Sequence, residues 1–281
     1  MRAAASLVVR TLLRSETDVT TSSAAEEITM PELANRDKLE ADFAKKFGAV
    51  ARAHLHEFRE YLGTPPSLDN VPQSFMDRME KETENNLYPI LFWIFGASAA
   101  DHGWATADAG LAAYGYASGQ STSFARYWVQ SIWDRTRAGL EKLRNKPGPT
   151  EETVDEARES NARIQQHEEG EIEDEDLDDL LEKLFGPKRI EGVAVNETTR
   201  ARHAGGEAGV EATVGLSDED EWACRPHASA TGPCEICESL DGAPRSVWSI
   251  QFPGGPPEPH SYCVCVICYL NALLQFPMGK P

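Results

Sequence analysis

All six cysteines of the 281-residue chain lie between positions 224 and 268. Cys234 and Cys237 form a C-x-x-C knuckle, and His260, Cys263 and Cys265 follow as H-x-x-C-x-C. Zinc takes four tetrahedral ligands from thiolate and imidazole, and two short-spaced groups joined by a loop supply them at small entropic cost. The 22 residues between Cys237 and His260 make a loop of zinc-ribbon size. Buried or disulfide-bonded cysteines are the bland alternative, but core packing alone does not crowd six thiols into 45 residues. The expected cofactor is therefore a structural Zn2+, held by ligands among Cys234, Cys237, His260, Cys263 and Cys265.

Three of those ligands are Cys234, Cys237 and Cys263, and the fourth stays open between His260 and Cys265. A four-coordinate site cannot use both, and His260 would give a Cys3His set. The β-branched and aromatic content of residues 261 to 270 predicts a strand. In a strand Cys263 and Cys265 point to one face and Cys268 to the other, which makes Cys268 a core residue. Cys224 and His227 form a further C-x-x-H pair that reads as loop.

A chain this long, with 41% hydrophobic residues, can bury a real core in one large domain or two small ones. Its net charge of −19 argues against a general nucleic-acid or acidic-membrane binder, since neutralising phosphates requires an excess of Lys and Arg on at least one face. Thiols in metal-like spacing fit a reducing cytoplasm. The apolar run from Leu87 to Ala100 contains Pro89 and Gly96 and stops well short of the roughly 20 residues a membrane span needs. It reads as a buried helix, and no membrane partner is expected. Arg2, Arg10 and Arg14 among Leu and Val share the pattern of a transit peptide, but the polar residues 17 to 34 favour an amphipathic or frayed arm.

Between Arg36 and Leu62 the residues Leu39, Phe43, Phe47, Val50, Leu55, Phe58 and Leu62 recur mostly every four positions, the stripe of an amphipathic helix. A second helix is expected from about Gln73 through Leu87 into the apolar run. Residues 101 to 120, rich in Ala and Gly, either pack closely on a neighbouring helix or turn tightly. A third helix spans Ser123 to Arg144 and ends at Lys146-Pro147-Gly148-Pro149. Residues 168 to 179 hold nine acids in twelve positions, which reads as a solvated linker; docking to calcium or to a basic partner is the minor alternative. Leu177, Leu180, Leu181 and Leu184 resume a helical stripe, and a short helix from Ile190 precedes a Gly- and Ala-rich stretch. From Trp222 onwards, short strands and turns replace helices. The expected fold class is α+β: a flexible arm (1–35), a helical region (36–149), an acidic linker with a short helix (150–186), a small zinc-stapled α+β module (187–270) and a tail (271–281).

Three pieces of the C-terminal half carry a resemblance. The segment Arg189-Ile190-Glu191-Gly192-Val193-Ala194-Val195-Asn196-Glu197-Thr198-Thr199-Arg200-Ala201 has a short Thr/Glu motif ahead of small residues. Trp222 is followed by Cys234-Glu235-Ile236-Cys237-Glu238-Ser239-Leu240-Asp241-Gly242, and Pro256-Pro257-Glu258-Pro259-His260-Ser261-Tyr262-Cys263-Val264-Cys265 closes the series. In this order they resemble the tailed-phage head-morphogenesis or minor head proteins of the phage Mu protein F type, over about residues 120 to 270. Ser261 stands where that family often has proline and Val264 where it often has arginine. The resemblance implies a non-enzymatic protein present in few copies, acting in procapsid and head assembly and DNA packaging near the portal. Its implied partners are phage portal and capsid proteins, with local contact to packaged DNA. Its implied location is the virion or procapsid interior, and the bacterial host cytoplasm during assembly.

The strongest enzyme rival is a zinc-dependent nucleobase deaminase. Pro233-Cys234-Glu235-Ile236-Cys237 matches the P-C-x-x-C half of that signature and His167-Glu168-Glu169 satisfies H-x-E. His167, however, sits in an acid-rich polar stretch, and this reading leaves His260 and Cys263 without a role. A zinc-finger nucleic-acid module or HNH-like nuclease is disfavoured because residues 222 to 281 hold only Arg225, Arg245 and Lys280 as basic side chains. Trp222, Trp248 and Phe252 read as a small packing core around the site, and Asp241-Gly242 as a turn whose glycine permits a conformation other residues resist.

Overall fold

The computed structural model describes residues 36–104, 106–144, 174–224, 235–256 and 265–271. The expected arm (1–35) lies outside the described residues. Helix α1 is Arg36–Leu62, α2 Gln73–Asp101, α3 Ala107–Arg144, α4 Asp174–Phe185 and α5 Pro187–Thr213. Strand β1 (Glu221–Ala223), α6 (Glu235–Leu240), α7 (Arg245–Gln251) and β2 (Val266–Cys268) follow, and the two strands pair antiparallel. The fold is α+β with most of its mass in helices, and none of the described helices is long and apolar enough to cross a membrane.

The aromatic stripes anticipated on α1 and α3 meet each other and a third element. Phe43, Phe47, Phe58 and Leu62 of α1 are fully buried, as are Met79, Leu87 and Leu91 of α2 and Ile132 of α3. Each contributes about 1.5–3 kcal/mol by leaving water. Trp128 is the hub: its ring meets Phe47 edge-on at 5.0 Å, Phe124 at 6.1 Å and Phe185 of α4 at 6.2 Å, and Arg189 of α5 lies over its face at 4.4 Å. The small-residue stretch after Asp101 does both of the things expected of it. A short turn at His102 and Gly103 ends α2, and in α3 Ala109, Ala113 and Ala117 are buried.

The acidic run departs from the linker reading. Its second half is the start of α4, with Leu177 buried and Asp178 paired to Arg59 of α1, because Leu177, Leu181 and Leu184 give the acids an apolar face to ride on. Residues 168 to 173 lie outside the described residues.

Helix α5 also differs from expectation. It runs straight through Gly205, Gly206 and Gly209, where the sequence suggests that a short helix has already ended. Two of these glycines explain why. A Cβ on Gly205 would stand 2.3 Å from the carbonyl oxygen of Phe95, and one on Gly209 would stand 2.7 Å from that of Ala99. The backbones of α2 and α5 therefore touch, and Ser98 Oγ of α2 donates to the carbonyl of Arg202 at 2.7 Å across the seam. The propensity cost of each glycine, about 1 kcal/mol, is offset by this approach.

Gly205→Ala and Gly209→Ala are therefore expected to lower stability by about 1–3 kcal/mol through overpacking. Gly115→Ala and Gly119→Ala, at exposed helix positions with open space, should raise it by up to about 1 kcal/mol. Urea midpoints read both signs, and an unchanged midpoint for Gly205→Ala would refute the contact.

Candidate metal centre and the thiol core

The C-terminal core is built on a three-rung ribbon. Glu221 pairs with Cys268, Trp222 with Ile267 and Ala223 with Val266. Side chains alternate along each strand, so Trp222 and Ile267 point inward and are buried while Ala223 and Val266 are half-exposed. One rung further the same register sets Cys224 opposite Cys265, on the face that Trp222 occupies. Their sulfurs lie 3.9 Å apart with Cys265 buried, well beyond the roughly 2.05 Å of a disulfide.

The knuckle segment is fastened to the other edge of β1. Gly242 N–H donates to the Trp222 carbonyl at 2.8 Å, Trp222 N–H to the Ala243 carbonyl at 2.9 Å, and Cys224 N–H to the Asp241 carboxylate at 2.7 Å. Gly242 adopts φ +73°, a left-handed conformation that a side chain would strain, as the turn reading anticipates. Helix α6 thereby delivers Cys237 and Leu240, both buried, onto the core formed by Val210 of α5, Trp222, Trp248, Cys265, Ile267 and Tyr269. Trp222 meets Trp248 at 5.8 Å and Phe252 at 6.3 Å, so the aromatics are the packing core expected of them.

Asp220 pins this arrangement. Its carboxylate is fully buried, accepts the Ser217 and Leu270 N–H groups at 3.0 Å each, and faces Arg245 Nε at 3.7 Å. Arg245 in turn reaches Glu207 of α5 at 2.7 Å and lies over the Trp248 ring at 4.9 Å. The Asp220 carbonyl accepts the Trp248 indole N–H at 3.0 Å. One residue thus ties the entry to β1, the exit from β2 and Trp248 together at one end of the ribbon.

The structure places Cys237 and Cys265 in one core, whereas Cys234, His260 and Cys263 lie outside the described residues, as do His227 and the His167-Glu168-Glu169 segment. Among the described residues no group of three His, Cys, Asp or Glu side chains is placed to hold a metal ion. Cys268 is not the core residue anticipated. It is half-buried opposite the exposed Glu221, because the inward positions of β2 fall on Cys265 and Ile267. Cys224, read as loop, is brought beside Cys265, and the signal that finds it is alternation from the buried Trp222.

Two hollows complete the chemistry. A cavity of about 30 Å³ is lined by Arg36, His102, Thr199, His203, Cys265 and Tyr269, with the Tyr269 hydroxyl 3.4 Å from His203 Nδ1. It has room for a water or two and none for an organic substrate. A cleft of about 530 Å³ between α3 and α5 gathers Arg135, Lys188, Arg189 and Arg200 around Tyr127. Burial and the neighbouring Arg135 pull the Arg189 guanidinium down to about 10, so it keeps its charge at neutral pH. In a chain of net charge −19 this is a concentrated cationic surface.

Asp220→Ala removes a buried carboxylate that satisfies two backbone donors and should cost about 3 kcal/mol or more. The near-UV circular dichroism of Trp222 and Trp248 is expected to collapse while the far-UV helical signal persists. Retention of the tryptophan signal would contradict the pinning role.

No protein-family model matches the chain, and no curated protein or solved structure matches it either.

Proposed function

We propose that the chain is a non-enzymatic phage minor head protein, acting in procapsid and head assembly and DNA packaging near the portal, with a structural zinc in its C-terminal core. The observation that carries this reading is the convergence of two of the resembling segments on the far end of the helix that carries the third. The Thr/Glu helix, the Trp222 and knuckle segment and the end of the closing motif lie far apart in sequence. Yet Val210 of α5, Trp222, Cys237, Leu240 and Cys265 share one small core.

The Thr/Glu motif itself is an anchoring device. Glu197 is buried, accepts from Gln120 of α3 at 2.7 Å and pairs with Arg200, while Thr199 accepts from Arg36 of α1 at 3.4 Å. Arg36 is further engaged by Glu40 at 2.7 Å. The motif fixes α5 to α1 and α3, a structural task that requires no catalysis.

Zinc suits a core of this size, because a metal-bound thiolate set supplies folding free energy that a few tryptophans and one short ribbon cannot. Cys237 and Cys265 are the described members of the set read from sequence; Cys234, His260 and Cys263 are its other candidates. Since the apolar stripes of α1 and α3 are spent inside the protein, contact with portal or capsid falls to side chains left outside. Leu111 and Tyr114 of α3 and Ile250 of α7 are 68%, 59% and 81% exposed. The cationic cleft beside Tyr127 is the surface suited to local contact with packaged DNA.

Isolated procapsids should contain the chain in few copies, and the chain should co-purify with portal protein, less so after Leu111→Ser with Tyr114→Ser. Reproducible absence from procapsids would remove the reading. Chain purified under reducing conditions without chelator should hold one zinc, whose removal disorders the core around Trp222 and leaves α1 to α4 helical. Metal-free protein with that core intact would remove the zinc.

A further inference from the structure

We propose that Cys224 is a zinc ligand and that Cys224 and Cys265 bind the ion as a neighbouring pair, leaving two of its four positions to the other candidates of the zinc reading on which this inference rests. Cys224 belongs to neither of the sequence groups that suggest a metal. Its place follows from the ribbon. The antiparallel register that pairs Trp222 with Ile267 and Ala223 with Val266 makes Cys224 and Cys265 the next facing residues, on the inward side of both chains. Two thiolates on a tetrahedral zinc, each bonded at about 2.3 Å, lie about 3.8 Å apart. The sulfurs of Cys224 and Cys265 are 3.9 Å apart, so they already stand at ligand spacing.

The position of Cys224 is held from a second direction. Its backbone N–H is bound by Asp241, at the end of the helix that carries Cys237, and Cys237 is buried in the core against which Cys224 packs. Ribbon and knuckle helix are thus locked to each other beside the thiol pair. As each Zn–S bond forms, the thiol releases its proton to solvent and the ion's charge offsets two thiolates that would otherwise repel at this distance. Cys268, opposite Glu221, lies on the other face of the ribbon from the pair.

The test uses the full chain, purified in reductant without chelator. In wild-type protein carrying zinc, iodoacetamide should spare the half-exposed Cys224 along with Cys265, and chelation should expose Cys224. Labelling of Cys224 as fast with zinc bound as after chelation would overturn the proposal, and this arm needs no variant to fold. Cys224→Ser and Cys265→Ser should each weaken zinc binding by more than about 100-fold, beyond what changes outside the ligand shell cost, and Cys268→Ser should leave it unchanged. Cobalt substituted for zinc should lose thiolate charge-transfer intensity in Cys224→Ser. Zinc bound to Cys224→Ser at wild-type affinity would defeat this proposal alone. Wild-type protein free of metal, or with Cys224 and Cys265 joined as a disulfide in reductant, would defeat the zinc reading together with it.

Discussion

The contact between the backbones of α2 and α5 sets the arrangement of everything C-terminal to it. Gly205 and Gly209 stand one helical turn apart on the face of α5 that meets Phe95 and Ala99, and neither position has room for a methyl group. Further along the same seam, Thr213 Oγ1 donates to the carbonyl of His102 at 3.2 Å. Helix α5 is held by its main chain, so its direction depends little on side-chain choice elsewhere. Its N-terminal half lies in the aromatic core around Trp128, through Ile190 and Ala194, and its C-terminal end supplies Val210 to the thiol core. A single helix therefore belongs to both cores.

That shared helix gives the small ribbon a foundation it could not provide for itself. Two strands of three residues make a sheet that is marginal in isolation. Here Trp222 and Trp248 pack on Val210, Arg245 bridges Glu207 of α5 and the buried Asp220, and Tyr269 meets His102 at the end of α2 edge-on at 5.3 Å. The proposed zinc would act on a platform already positioned by helices, closing its outer side where the knuckle and the ribbon meet. In the head-assembly role proposed for the chain, such a module would be carried rigidly by the helical body.

Legibility in the sequence followed the strength of the periodic signal. The stripe from Leu39 to Leu62 marks α1 at its observed bounds, and the apolar run after Leu87 is the buried helix its length suggests. Where small residues do the packing, periodicity fades: the first sixteen residues of α3 and the last eight of α5 are helical for tertiary reasons, against the local preference of Gly. The thiol core was half visible. Cys237 and Cys265 are found by spacing and do converge, and Gly242 takes the backbone conformation its turn position demands. Spacing groups Cys224 with His227, which lies outside the described residues, whereas the alternation that starts at Trp222 puts Cys224 opposite Cys265. Asp220 and His203 carry no motif at all, since their roles arise only from which elements the fold brings together.

Hydrogen exchange of the intact chain, followed peptide by peptide, tests the claim that α5 unites the two cores. Amides of α5 between Ala201 and Val210 should exchange as slowly as those of α2 between Leu91 and Ala99, and Gly205→Ala should accelerate both segments together with β1. Fast exchange of α5 beside a protected α2, or a Gly205→Ala effect confined to α5, would contradict the account.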